Sequence, residues 1–230
     1  MAWRCSGSSN EELIDNLKDS GIISNERVIS AMKSVDRKYY TSSPYIDSPQ
    51  SIGYGATISA PHMHGYALEY LADYLKPGNK VLDVGSGSGY LTACMAAMVA
   101  PEGKAVGIEH VPQLAEMSNK NINKSNLDPS IKESIKIICG DGRLGYKEDS
   151  PYDCMQVFKI SFLHVGAASP VEPKMILDQL KSPGRLFIPV GDYSQEILMY
   201  TKDSSGKITK EPLMGVIYVP LTDLDQQISK

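Results

Sequence analysis

The stretch VLDVGSGSG, residues 81–89, sets Gly85, Gly87 and Gly89 between an apolar, strand-like run and a helix-like one. Glycines at such a junction let a ligand approach the backbone, and the start of the helix offers free N–H groups. Glu109 closes a second apolar run, 24 residues after Gly85, where a carboxylate can bind both hydroxyls of a ribose. Asp141, inside Gly140-Asp141-Gly142, closes a third run and reads either as a turn residue or as a contact to the adenine end of a nucleoside. Asp83 stands two residues before the first glycine, and a negative charge there suits a cationic amino group better than a pyrophosphate. The spacing is GxGxG, not the GxGxxG of dinucleotide folds, whose third glycine would fall on Tyr90; no YxxxK pair occurs. These residues point to S-adenosylmethionine, with Asp83 near its amino group.

The remaining reactive side chains suggest no second chemistry. His62 and His64 are two apart at a helix entry, a poor spacing for metal ligands, and neither cysteine nor histidine lies nearby to complete a site. No metal is expected. His62 reads as merely solvated. Cys5, Cys94, Cys139 and Cys154 form no CxxC pair and fit free thiols in a reducing compartment. Ser59, just before Pro61, reads as the N-cap of a helix. A nucleic-acid methyltransferase would carry an Asn/Asp-Pro-Pro-aromatic motif or a Pro-Cys nucleophile, and neither occurs. Nor is there the carboxylate-rich cation site of a metal-dependent small-molecule O-methyltransferase.

Positioning these groups falls to an alternation of strands and helices. Strand VLDV, a helix from Tyr90 to Val99, strand AVGIE, a helix from Pro112 to Lys124, and strand IKIIC are followed by a strand from Tyr152. A helix over Glu172–Leu180 and a strand over Arg185–Val190 complete the run. This order predicts an α/β, doubly wound, three-layer Rossmann-like fold with a mostly parallel sheet. The tail, from QEILMYTKD through Ser204-Ser205-Gly206 to Leu221, predicts an antiparallel hairpin at the sheet edge. Two amphipathic helices open the chain, one with Ser9 and Glu12 at capping-box spacing and a stop at Gly21, the next starting at Ser24. Residues 41–61 are rich in Pro, Ser and Gly without periodicity, and loops that long in compact domains tend to be functional. At 230 residues, the chain is expected to be one domain: a helical and loop portion over 1–78, a cofactor-binding core over 79–190 and a β extension over 191–230. A net charge of −4 excludes bulk attraction to nucleic acid or an anionic membrane. The polar SGSSNEE that follows Met1-Ala2-Trp3-Arg4-Cys5, and a longest apolar stretch of only LTACMAAMVA, suggest the cytosol.

Six stretches together resemble the protein-L-isoaspartate O-methyltransferases: MAW, YIDSPQSIGYGATISAPHMH, VLDVGSGSGYLTA, GDGRLGY, HVGAASP and LMGVIYVPLTD. They span nearly the whole chain, and ATISAPHMH is peculiar to that family. The resemblance implies an S-adenosylmethionine-dependent methyltransferase fold, a monomer, and esterification of the free α-carboxylate of L-isoaspartyl and D-aspartyl residues in damaged proteins and peptides. The ester then collapses to a succinimide without the enzyme. It implies that Ser59 is the active-site serine and that cofactor contacts fall on Ala56, Thr57, Ile58, Ser59, His64, Asp83, Val84, Gly85, Gly87, Glu109, Asp141, Gly142, Thr222 and Gln227. Gln227 is the weaker tail position, because DLDQQISK departs from the usual ending. Substrate contact is expected at Ser59 and at the backbone of Val165, Gly166 and Ala167, with recognition running through peptide backbone.

One departure stands out. The family reads Y-D, two residues, then H-V-G-A-A; this chain reads YDCMQVFKISFLHVGAASP, about eight residues more, assigned to Met155–Phe162. Inside a central strand they must bulge out or displace half of it, although an even number keeps the inward–outward parity. That leaves a second class of function open: a methyltransferase-like module that binds cofactor but transfers nothing.

Overall fold

The computed structural model describes residues 5–157, 173–191 and 195–216. Helix α1 (Asn10–Asp19) is capped by Ser9, whose side chain accepts from the Glu12 N–H. Glu12 in turn accepts from the amide and hydroxyl of Ser8, one residue earlier than a strict capping box. Gly21, at φ +71, turns the chain after it. Helix α2 (Glu26–Ser34) is capped by Asn25 and not by Ser24, whose hydroxyl donates to Glu69 instead. The stretch read as a loop contains an antiparallel hairpin, β1 (Gln50–Gly53) and β2 (Ala56–Ile58). Three or four residues per strand are too few for periodicity to register. Helix α3 (Pro61–Leu71) follows, and its N-cap is Ala60, so Ser59 is not the cap.

The alternating core runs as expected: β3 (Lys80–Val84), α4 (Tyr90–Val99), β4 (Lys104–Glu109), α5 (Pro112–Lys124), a short α6 (Pro129–Glu133), β5 (Ile135–Cys139) and β6 (Tyr152–Val157). Helix α7 (Lys174–Leu177) is shorter than predicted, because Leu180 already belongs to β7 (Leu180–Val190). Strands β8 (Gln195–Lys202) and β9 (Ile208–Val216) form the antiparallel hairpin. The seven-stranded sheet has the order β5-β4-β3-β6-β7-β8-β9, parallel from β5 to β7 and antiparallel beyond.

Two cores flank the sheet. Val81, Ala105, Cys154 and Phe187 point toward α1–α4, whereas Leu82, Val84, Val106, Met155 and Leu186 point toward α7. Burial on both faces explains why Val81–Val84 reads as an unbroken buried run. Chain order reverses direction between β3 and β6, and the crevice at the carboxyl ends of such a pair is where open α/β sheets bind ligands.

The position of the extra residues needs correction. Met155, Gln156 and Val157 pair in register with Leu82, Asp83 and Val84 of β3, and Met155 and Gln156 pair with Leu186 and Phe187 of β7. These three residues therefore continue the central strand and neither bulge from it nor displace it. The remainder of the stretch, with His164 and Val165–Ala167, lies outside the described residues, as do Thr222 and Gln227.

Candidate active site

A small cleft opens at the carboxyl end of β3. One wall comes from β2 and the start of α3: Thr57, Ile58, Ser59 and His64. The other comes from the end of β3, the glycine loop and α4: Asp83, Gly85, Ser86, Gly87, Ser88 and Leu91. Residues about 25 positions apart thus meet face to face.

The loop wall is set by backbone geometry. Gly85, Gly87 and Gly89 have φ of +84, +52 and +85, a region where side chains with a Cβ are strained. At Gly89 a Cβ would also stand 2.3 Å from Ser118 Oγ. Most amides of the loop itself are engaged within the protein. The N–H groups of Gly85 and Ser86 donate to the Ile108 carbonyl, and that of Gly89 to the Ser86 carbonyl. The Gly87 N–H donates to Glu109 Oε2 at 3.1 Å, while Glu109 Oε1 accepts from the Val111 N–H at 3.0 Å. Each oxygen of this buried carboxylate keeps acceptor capacity beyond its one backbone donor.

Asp83 is 1% exposed and accepts from the Thr92 hydroxyl at 2.5 Å. Burial pushes its carboxyl up to about 7; the Thr92 hydrogen bond opposes the shift, and the neighbouring Glu109 charge adds to it. A buried acid poised near neutrality is suited to receive a cation. Ser86 Oγ, in the same wall, is buried without a hydrogen-bond partner.

The opposite wall is held by long-range polar contacts. Arg37 is wholly buried, and its Nη2 donates to the Ser59 carbonyl at 2.6 Å while Nη1 lies 3.1 Å from His64 Nδ1. Ser59 itself is 3% exposed. Burial, then the charges of Arg37 and His62, hold His64 well below the usual histidine range, so its ring is neutral at pH 7. His62 is not merely solvated: Asp47 accepts from its N–H at 3.0 Å and meets its Nδ1 at 2.8 Å. Arg37 carries no sequence signature, because an isolated arginine beside a helix end resembles any surface arginine.

Other predicted residues lie near the cleft but outside its lining. Ala56 packs against Val111 and Leu114. Val84 points into the α7-side core, and Gly142 lies against it so closely that a Cβ would come 2.4 Å from Val84 Cγ1. Asp141 takes the turn role, capping a short 3₁₀ turn through the Arg143 N–H and pairing with the Arg143 guanidinium at 2.7 Å. Among the described residues, no group of three or more His, Cys, Asp or Glu could hold a metal, and no helix is long and apolar enough to cross a membrane.

Comparison with known proteins bears on the whole chain. A Caenorhabditis elegans protein-L-isoaspartate O-methyltransferase is 50% identical over 229 residues, covering 99% of this chain and 98% of its own length. An Arabidopsis thaliana relative, protein-L-isoaspartate O-methyltransferase 1, is 47% identical over 225 residues, 96% of this chain and 94% of its own. A Plasmodium falciparum crystal structure of a protein-L-isoaspartate O-methyltransferase in complex with S-adenosyl-L-homocysteine superposes with a TM-score of 0.82. It is 36% identical and covers 94% of this chain and 99% of its own. The family model for protein-L-isoaspartate(D-aspartate) O-methyltransferase matches residues 8–226. With the sheet order, the cleft at the switch point and these matches in agreement, the chain belongs to the protein-L-isoaspartate(D-aspartate) O-methyltransferase family.

Proposed function

We propose that this protein methylates the free α-carboxylate of L-isoaspartyl and D-aspartyl residues in damaged proteins and peptides, with S-adenosylmethionine as its cofactor, and so starts their repair. The observation that carries this reading is the cleft at the carboxyl end of β3. There Ser59 and His64 face Asp83 and the glycine loop, in a chain whose family match spans residues 8–226. The residues fit the cofactor chemically. Asp83 is the acceptor for its ammonium and the Glu109 carboxylate for its ribose hydroxyls. Thr57, Ile58, His64, Gly85 and Gly87 supply the walls, with Ala56, Val84, Asp141 and Gly142 supporting them. Thr222, Gln227 and the substrate contacts at Val165, Gly166 and Ala167 belong to the same reading.

When bound, the cofactor supplies a methyl group on a positively charged sulfur. The rest is positioning. The substrate carboxylate is already ionised at pH 7 and needs no general base, in keeping with a cleft in which His64 is neutral and hydrogen-bonded to an arginine. The Ser59 hydroxyl orients the carboxylate, and the enclosed walls exclude water. Alignment of this kind supplies roughly 7–11 kcal/mol. The protein acts as a single-domain monomer of the cytosol in this reading.

The test is transfer of labelled methyl from S-adenosylmethionine to an isoaspartyl peptide, beside the same peptide with normal aspartate. Base-labile label on the isoaspartyl form alone is the expected result. Absence of transfer, with S-adenosylhomocysteine binding intact by calorimetry, overturns it.

A further inference from the structure

Among the described residues Arg37 is the largest side chain wholly shut from solvent, and it lies behind the cleft rather than in its lining. A guanidinium has five N–H donors, no acceptor and a permanent charge. Among the described residues no carboxylate stands within ion-pair distance of it, and its Nε has no partner. The groups that favour its charge are Tyr90, Cys94 and then Asp47, the last a carboxylate engaged with His62. Its plane lies 4.8 Å from the centre of the Tyr90 ring, which also packs against His64 at 5.1 Å and edge-on to Tyr40 at 5.4 Å. A buried cation this tightly boxed is costly unless an anion completes it.

Its contacts also settle a proton. Because Arg37 can only donate, His64 Nδ1 must accept, and the single proton of the neutral ring sits on Nε2. The same guanidinium holds the carbonyl of Ser59. One residue therefore holds the backbone of Ser59 and the ring of His64 in that wall.

We propose that Arg37 is a positioning residue. It locks His64 in the Nε2–H tautomer, anchors Ser59, and provides the buried positive charge that draws a carboxylate into the cleft. This deepens the reading of the cleft given above and rests on it for the identity of the carboxylate. Two carboxylates enter such a site, that of the amino-acid portion of the cofactor and the α-carboxylate of the isoaspartyl residue.

The tautomer is tested on the unaltered protein without any ligand, by long-range proton–nitrogen correlation after 15N-histidine labelling. The His64 signals are identified by their loss in His64→Gln. A protonated Nε2 with an accepting Nδ1 is expected; a protonated Nδ1, or an averaged ring, overturns the proposal. This readout is independent of any methyl transfer, so failure of the enzymatic reading and failure of this one are separable.

The charge is tested with Arg37→Lys and Arg37→Met, the lysine variant carrying the test if the methionine variant does not fold. S-adenosylhomocysteine, which has the carboxylate, is compared with 5′-methylthioadenosine, which lacks it. About a tenfold loss in Arg37→Met, mostly restored in Arg37→Lys, is expected for the first ligand and no change for the second, if the cofactor carboxylate is the one served. The same loss confined to the KM for the peptide assigns the substrate carboxylate instead. Equal loss for both ligands, or no loss anywhere, overturns the electrostatic role.

Discussion

The two walls of the cleft are built on opposite plans. The wall of β3, the glycine loop and Glu109 is local: its glycines lie within five residues, and its hydrogen bonds run between adjacent parallel strands. The wall of Thr57–His64 is assembled at a distance. A hairpin of seven strand residues is held by Arg37 from 22 residues away and by Asp47 through His62. The first wall follows a path that only glycine takes without strain, at φ of +84, +52 and +85. The second keeps its shape because buried polar groups would otherwise lose their partners. Positioning by φ and positioning by buried hydrogen bonds thus meet across one cleft.

The largest effect should come from the backbone-built wall. Gly89→Ala combines a strained φ with a Cβ 2.3 Å from Ser118 Oγ, and about 2–4 kcal/mol of stability should be lost. Urea unfolding measures it; a loss under 0.5 kcal/mol would show that the loop is softer than its geometry implies. Next, Ser59→Ala should lower kcat/KM on an isoaspartyl peptide about 10- to 100-fold while S-adenosylhomocysteine binding changes less than about threefold. Full retained activity would remove Ser59 from catalysis and leave it as a wall residue.

Asp83 offers a pH readout. Its carboxyl is pushed up to about 7, chiefly by burial, and an ammonium ligand needs it ionised. Affinity for S-adenosylhomocysteine should therefore weaken as pH falls below 7, approaching about tenfold per unit, and Asp83→Asn should flatten that profile. The same raised value has a stability consequence with a definite sign. The folded protein without ligand binds the proton more tightly than the unfolded chain does. The contribution is fully present below the ordinary carboxylate value of 3.8 and is lost as pH rises through about 7. Thermal melts of the wild type and Asp83→Asn should converge in their pH dependence if Asp83 is not the group responsible.

The smallest effect belongs to the second anchor of the hairpin wall. Asp47→Asn keeps the shape but weakens two hydrogen bonds to His62, and about 1 kcal/mol of stability should go. A change as large as that of Gly89→Ala would mean that the polar anchors, and not the glycine loop, dominate the site.

Legibility in the sequence follows the same division. Strands β3 and β4 are readable because burial on both sheet faces produces short continuous apolar runs bounded by turn residues, and the half-buried edge strand β5 keeps the same apolar run in IKIIC. The roles proposed for Gly85, Gly87 and Glu109 follow from their place at strand ends. The β1–β2 hairpin was not readable, since strands of four and three residues are shorter than any period can report. Ser59 as a helix cap was a sound local reading, but the preceding strand and Arg37 take its backbone and leave Ala60 to start the helix. The residues after Cys154 looked like an interruption of the central strand, yet Met155 and Val157 both enter the α7-side core with Gln156 between them, the two-residue period of a strand. His62 looked solvated because its partner, Asp47, is fifteen positions away.

By itself, the sequence determined the alternating α/β order, the glycine loop at the end of the first core strand, and the acids that follow each strand. All of these are written in contiguous residues whose types constrain their own backbone. Tertiary structure alone decided that Arg37 would be buried and matched to Ser59 and His64. It also decided that burial would push the Asp83 carboxyl up to about 7 and that Asp141 would cap a 3₁₀ turn through Arg143. The physical reason is that burial and partner choice arise from residues distant in the chain: desolvation acts only once the fold has removed water, and no local pattern encodes which distant group will stand opposite.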